Sequence, residues 1–288
     1  MGWFFLKVAL VLEGGAMRGL YTAGVLDVFM NNNIVVDAVI GVSAGALFGV
    51  NYISNQAGRA LRYSKKYLND KRYMGFYSLI TTGDIMNKDF CFNELIYKLD
   101  RFDFESFKNS KIDFYATVTN LNTGEAEYIK INDLDDGHNL EYLRASGSMP
   151  LVSNIVKIDK NEYLDGGIAD SIPVKKARKL GYDKIIAVLT RPEGYKKKKS
   201  NCFLYNIVYS KYPKFVETVK KRYKNYNNTI DYINSCKREK SIFVIRPTKD
   251  LKVKRLEKNI IKVENLYNLG VLDAQKALEN LKKYLGLC

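Results

Sequence analysis

Ile34-Val35-Val36-Asp37-Ala38-Val39-Ile40-Gly41-Val42-Ser43-Ala44-Gly45 decides the fold of this 288-residue chain. Residues 34–42 are an apolar run that reads as a buried strand, and a helix-like run over 44–52 follows with no linker. The serine falls at the junction. The same pattern occurs upstream. Residues 6–12 read as a fully buried strand, Gly14-Gly15-Ala16-Met17-Arg18-Gly19 as a glycine turn, and 19–30 as a helix. Strand, helix, strand, helix in that order predicts a parallel sheet with helices on its faces.

Downstream, residues 52–107 read as helical and mostly polar, with a turn at Thr82-Gly83-Asp84. Residues 111–120 read as a strand, and 126–131 pair with it as a hairpin across Asn122-Thr123-Gly124. A helix is expected over 139–145, ending before Gly147. Short strands follow at 155–158 and 163–164. A helix over 173–180 has Pro173 in its first turn, where the missing N–H costs nothing. Residues 185–189 and 241–246 read as strands, the second stopped by Pro247, and 259–285 as a long amphipathic helix. No internal repeat is visible. The expected architecture is a three-layer α/β/α sandwich with a mostly parallel central sheet. Residues 1–190 would form the core, 191–240 a basic, tyrosine-rich helical cap or insertion, and 241–288 a strand and helix completing the core.

A hydrophobic fraction of 47% suffices for one large domain, or for one with an appended subdomain. Four cysteines without a CxxC pair read as reduced thiols of a cytoplasmic protein. Cys288 has no residues after it, so it is no prenylation box. The first residues hold an apolar run, but no basic region precedes it, Lys7 interrupts it and Gly14-Gly15 ends it. It reads as a first strand rather than a signal peptide. No other apolar run approaches the ~20 residues of a membrane span.

The net charge of +15 is local. Residues 191–262 hold 21 Lys and Arg against 6 Asp and Glu, and the rest of the chain holds 25 of each sign. The segment also carries Tyr195, Phe203, Tyr205, Tyr209, Tyr212, Phe215, Tyr223, Tyr226 and Tyr232. Basic residues interleaved with rings suit a lysine-rich solvated surface or peripheral contact with an anionic membrane. Single-stranded nucleic acid fits less well, and no nucleic-acid partner is expected. Four successive lysines at 196–199 mark an expected mobile loop.

The chemistry centres on Ser43. In G-x-S-x-G, here Gly41 to Gly45, a serine sits on a crowded strand-to-helix turn, exposed above the sheet edge. The following helix N-terminus stabilises negative charge there. The same pentapeptide also suits a small-residue packing turn. The turn from Gly14 to Gly19 exposes amides at a helix start, where anions bind. A phosphate loop would want G-K-[ST], which is absent, so an oxyanion hole fits better beside the elbow. Arg18 would orient that loop or meet a lipid phosphate. Asp165-Gly166-Gly167 lies 122 positions beyond Ser43 and offers a carboxylate with little bulk around it. An aspartate acts as a serine's base only when positioned and partly desolvated. Asp165 also suits a plain turn. The single histidine, His138, stands in the polar loop Asp135-Asp136-Gly137-His138-Asn139 and reads as a surface residue.

Taken in order, Glu13 to Gly19, Gly41 to Gly45 and Asp165 to Gly167 resemble the patatin-like phospholipases, especially the bacterial branch. Ala145-Ser146-Gly147-Ser148-Met149-Pro150 and Asp170-Ser171-Ile172-Pro173-Val174 are similar to family segments as well, so the resemblance spans residues 6–189. It implies Ser43 as nucleophile and Asp165 as base. It also implies an oxyanion hole from the backbone around Gly14, Gly15, Ala16 and Arg18, and acyl ester hydrolysis through an acyl-enzyme, with no metal or cofactor. Gly19, Gly41, Gly45, Gly166 and Gly167 belong to the motifs. Ala16 replaces the usual third glycine, and Asp170 stands where relatives often carry asparagine. The expected activity is that of a lipid acyl hydrolase, a phospholipase A or a lysophospholipase-like esterase. Acyl transfer to an acceptor other than water, and a non-catalytic lipid- or protein-binding module, are the alternatives.

Overall fold

The computed structural model describes residues 6–287. Eight strands, β1 (Val8–Leu12), β2 (Ala38–Val42), β3 (Asp113–Asn120), β4 (Ala126–Ile131), β5 (Val156–Ile158), β6 (Asn161–Asp165), β7 (Lys184–Val188) and β8 (Ile242–Ile245), form one sheet. Its order is β5-β6-β3-β2-β1-β7-β8, with β4 also paired to β3. The centre, β3-β2-β1-β7-β8, is parallel; β4, β5 and β6 add antiparallel pairings. The helices are α1 (Leu20–Asn31), α2 (Ala44–Ile53), α3 (Arg59–Tyr67), α4 (Phe76–Thr82), α5 (Phe104–Lys108), α6 (Gly137–Gly147), α7 (Val174–Lys179), α8 (Phe203–Val208), α9 (Pro213–Arg238) and α10 (Ile260–Leu285).

Both faces of the central strands are apolar because each faces its own core. Val8, Leu10 and Leu12 of β1 join Leu20, Val25 and Leu266 from α1 and α10, whereas Ala9 and Val11 join Ala177, Ile230 and Ile233 from α7 and α9. Ile186 and Val188 of β7 face the first core and Ile185 and Ala187 the second. This period-2 split between two helical layers makes the α/β/α sandwich that the apolar runs anticipate.

Some boundaries differ from the sequence expectation. β2 starts at Ala38 rather than at residue 34, because Asp37 is occupied in bracketing β1. Its carboxylate accepts the Val8 amide at 2.6 Å and its own amide donates to the Val8 carbonyl at 2.9 Å. α6 does not stop before Gly147 but runs through it. There Gly147 lies against Leu47 of α2, and the Ser148 hydroxyl donates back to the Arg144 carbonyl at 2.9 Å. The first half of the lysine run at 196–199 is tied to α9: the Lys197 amide donates to Asn227 at 2.8 Å, and Lys196 pairs with Asp231. Cys91 and Cys236 are buried free thiols and Cys202 is a half-buried one. The expectation for Cys288, and that for the first five residues, lie outside the described residues. No helix among the described residues is long and apolar enough to cross a membrane.

Candidate active site

β3 brings the two motifs together. Its one edge is taken by β4 over Phe114 to Thr119. On the other edge β2 pairs up to Val42 opposite Thr117, and β6 takes over from Val118, which faces Asp165. Asp165 therefore follows directly where β2 ends and Ser43 begins. The close approach needs glycine, since a Cβ on Gly166 would lie 2.1 Å from the Thr117 carbonyl oxygen.

Ser43 caps α2 with φ 53° and ψ −125°, a strained backbone that lifts its hydroxyl from the sheet edge. Its amide donates to Ser146 Oγ at 2.9 Å. Its hydroxyl donates to Asp165 Oδ2 at 2.6 Å, and both residues are buried. The other carboxylate oxygen accepts the Gly167 amide at 2.7 Å, and the Asp165 amide donates to the Ser148 carbonyl at 2.8 Å. Arg222 of α9 donates from Nε to the Gly167 carbonyl at 2.6 Å, holding the aspartate loop from above. Burial raises the Asp165 carboxyl above the ordinary carboxylate range; the Ser43 hydrogen bond and the charge of Arg222 work against that rise. A buried, raised carboxylate bonded to a hydroxyl has the makings of a general base.

The first glycine turn packs onto this pair. A Cβ on Gly14 would come within 3.0 Å of Ser43 Cβ and of the Val42 carbonyl, and one on Gly45 within 2.4 Å of the Leu12 carbonyl. Ala16 adopts φ 49°, the left-handed region that favours glycine, despite its methyl group. The amides of Gly14, Gly15 and Ala16 donate to no acceptor among the described residues, so they are free to meet an oxyanion. The Arg18 amide is not: it donates to the Gly15 carbonyl at 3.1 Å, closing the 3-10 turn Ala16–Gly19. The Arg18 side chain instead points into the cavity beside Ser43. Glu13 braces the turn, accepting the Thr190 amide at 2.6 Å and the Tyr226 hydroxyl at 2.9 Å.

Ser43 stands where two cavities meet. One, about 100 Å³, is apolar and lined by residues such as Met17, Leu47, Phe48, Leu95 and Leu140. Part of its wall is the helix Phe90–Leu99, wound with the wide π-type turn. The other, about 300 Å³, is lined by Arg18, Arg191, Lys197, Arg222 and Arg255 together with Glu13 and Asp165. Among the described residues no group of three or more His, Cys, Asp or Glu is placed to hold a metal ion. His138 is exposed, 3.2 Å from Asp159, and takes no part in the site. Asp170 is tied to the Tyr128 hydroxyl at 2.8 Å and accepts the Ile172 amide, which gives it a structural place.

Sequence reasoning singled out Ser43, Asp165 and the glycine turns. It missed Ser146 as a partner of the elbow, and Arg222, Arg255 and Lys197 as neighbours of the dyad. The basic segment was the available signal for the cations, but nothing in it said which of its charges face inward.

Residues 10–178 match the Patatin-like phospholipase family, more than half of the chain, and the chain belongs to that family. Residues 212–286 match a second family, a domain of unknown function, DUF6363. The chain is 31% identical over 195 residues to the uncharacterized protein YjjU of Escherichia coli, covering 65% of this chain and 52% of that protein. To lysophospholipase NTE1 of Scheffersomyces stipitis it is 29% identical over 186 residues, covering 63% of this chain and 11% of that one. It thus spans about half the length of YjjU and a much smaller share of NTE1. The crystal structure of VipD from Legionella pneumophila is similar at 14% identity with a TM-score of 0.41, covering 94% of this chain and 67% of that chain.

Proposed function

We propose that this chain is a serine hydrolase of lipid acyl esters that works through a Ser43–Asp165 dyad. The observation that carries the reading is the 2.6 Å hydrogen bond from Ser43 Oγ to Asp165 Oδ2 beside free amides of the first glycine turn. As Oγ attacks the ester carbonyl carbon, its proton passes to Asp165. The oxyanion faces the Gly14, Gly15 and Ala16 amides, each such donor being worth about 3–4 kcal/mol in the transition state. Collapse expels the alcohol, which takes the proton from Asp165, and leaves an acyl group on Ser43. Asp165 then draws a proton from the water that attacks the acyl-enzyme and returns it to Ser43 Oγ as the fatty acid leaves. The apolar cavity suits the acyl chain. The lysophospholipase name of the NTE1 relatives supports the same substrate class.

The segment 191–240 serves in this reading as a cap, since Lys197, Tyr205, Arg222 and Tyr226 close one side of the cavity. It also offers a membrane surface. α8 turns Phe203, Leu204, Ile207 and Val208 to solvent. Exposed apolar side chains in a basic segment fit peripheral contact with anionic lipid.

The test is turnover of short neutral acyl esters by the wild-type chain and by Ser43→Ala and Asp165→Asn. Each substitution is expected to lower kcat by about 10³-fold or more, as for other dyad and triad members. A fluorophosphonate should label Ser43 in the wild-type chain. Near-normal turnover in either variant would refute the dyad.

A further inference from the structure

The larger cavity beside Ser43 holds more positive charge than its own carboxylates answer. Arg18, Arg191, Lys197, Arg222 and Arg255 line it against Glu13 and Asp165. Both carboxylates have other partners: Glu13 holds the Tyr226 hydroxyl and the Thr190 amide, and Asp165 the Ser43 hydroxyl and the Gly167 amide. Among the described residues none of the five cations forms an ion pair; the ion pairs lie elsewhere on the chain. Arg18 Nε is buried with no hydrogen-bond partner. A buried, unpartnered guanidinium nitrogen is costly unless a ligand answers it.

The cations also press on one another. Burial and then the charges of Arg191 and Arg255 lower Arg18 to about 10. Burial and then Arg222 lower Lys197 to about 7. Its ammonium lies over the Tyr226 ring at 4.3 Å rather than against a carboxylate. Such a cluster gains most from an anion with several acceptor oxygens, and arginine forks match phosphate in two-point geometry.

Position assigns the anion to the substrate. The two cavities share Ser43, Ala16, Met149, Arg255 and Leu256. An ester whose carbonyl sits at Ser43 with its acyl chain in the apolar cavity must send its alcohol portion the other way, among the cations. We propose that this chamber is a headgroup site selecting acyl esters whose alcohol carries a phosphate with no compensating ammonium, such as a phosphatidate, a lysophosphatidate or a phosphatidylglycerol. The assignment rests on the hydrolase reading above. Four of the five cations come from beyond residue 190, so this headgroup preference would reside in the segment outside the matched phospholipase region.

The test compares kcat/KM for phosphatidate and phosphatidylcholine of identical acyl chains, each at low mole fraction in neutral detergent micelles, so that surface charge does not concentrate the protein. The wild-type chain should prefer the phosphatidate about tenfold or more, the scale of one charge-assisted hydrogen bond. Lys197→Met and Arg255→Gln should each reduce that ratio severalfold. A wild-type ratio near one, or a ratio that neither substitution moves, would overturn the headgroup site. Strong inhibition of neutral-ester cleavage by micromolar inorganic phosphate would overturn it too, reassigning the chamber to free phosphate. If the wild-type chain cleaves no neutral short ester at all, the hydrolase reading itself fails, which separates the two failures.

Discussion

At the scale of single residues, the proposed role of Asp165 as base sets function against stability. Its folded carboxyl is raised mainly by burial. Such a group adds most to stability below the ordinary carboxylate pKa of about 4, and the contribution is lost as pH rises through the raised folded value. At neutral pH the ionised form that can act as base is therefore the form that folding disfavours. Asp165→Asn keeps an acceptor for the Gly167 amide and a group able to meet Ser43 while removing the charge. We expect it to abolish turnover yet melt about 2 °C or more above wild type at pH 7, with the gain shrinking toward pH 4. Calorimetry at both pH values checks this, and a lower Tm at pH 7 would contradict it. The activity profile should show an acid limb displaced above the usual carboxylate range. Gly14→Ala probes the neighbouring turn: its Cβ would meet Ser43 Cβ and the Val42 carbonyl at 3.0 Å. The expected outcome is a folded protein with kcat lowered about tenfold, since even small displacements of reacting groups are costly.

At the scale of elements, α1 and α10 meet through two glycines. A Cβ on Gly24 would lie 2.2 Å from the Tyr267 carbonyl oxygen, and one on Gly270 2.1 Å from that of Tyr21. Neither gap admits a methyl group unless the helices move apart. The Tyr21 hydroxyl adds a bond to Asp273 at 3.1 Å across the same contact. Gly270→Ala should cost about 1–3 kcal/mol by overpacking, read as a Tm lowered by several degrees with little change in far-ultraviolet dichroism. The long helix α10 was legible from its amphipathic pattern, and the structure adds its caps: Asn259 accepts the Lys262 amide and Gly286 ends it with φ 79°. Their crossing was not legible. A glycine inside a helix signals a close approach, but it does not name the partner.

At the scale of the whole molecule, the charge of +15 divides into two populations. Some cations turn inward around Ser43, and others, such as Lys211, Lys220 and Lys224, remain exposed. The exposed set, with Phe203 and Ile207, forms the proposed membrane surface. Phe203→Ser with Ile207→Ser should weaken sedimentation with anionic vesicles severalfold, and raised salt should weaken it in the wild-type chain as well. Vesicle binding unchanged by the double substitution would remove α8 from that surface.

Local sequence was enough for the strands, for the helices α1, α2, α6, α7 and α10 and for the three glycine-flanked motifs, because each depends on contacts or backbone angles within a few residues. Apolar runs too short for a membrane and bounded by turns specified a buried sheet, and Gly41-Val42-Ser43-Ala44-Gly45 specified the elbow. Only the tertiary structure decided that β6 continues the edge of β3 left by β2, which brings Asp165 to Ser43. Only it decided which lysines and arginines of the basic segment line the cavity and which face water. Those outcomes depend on register and on helix packing between residues more than a hundred positions apart, and no local pattern encodes either.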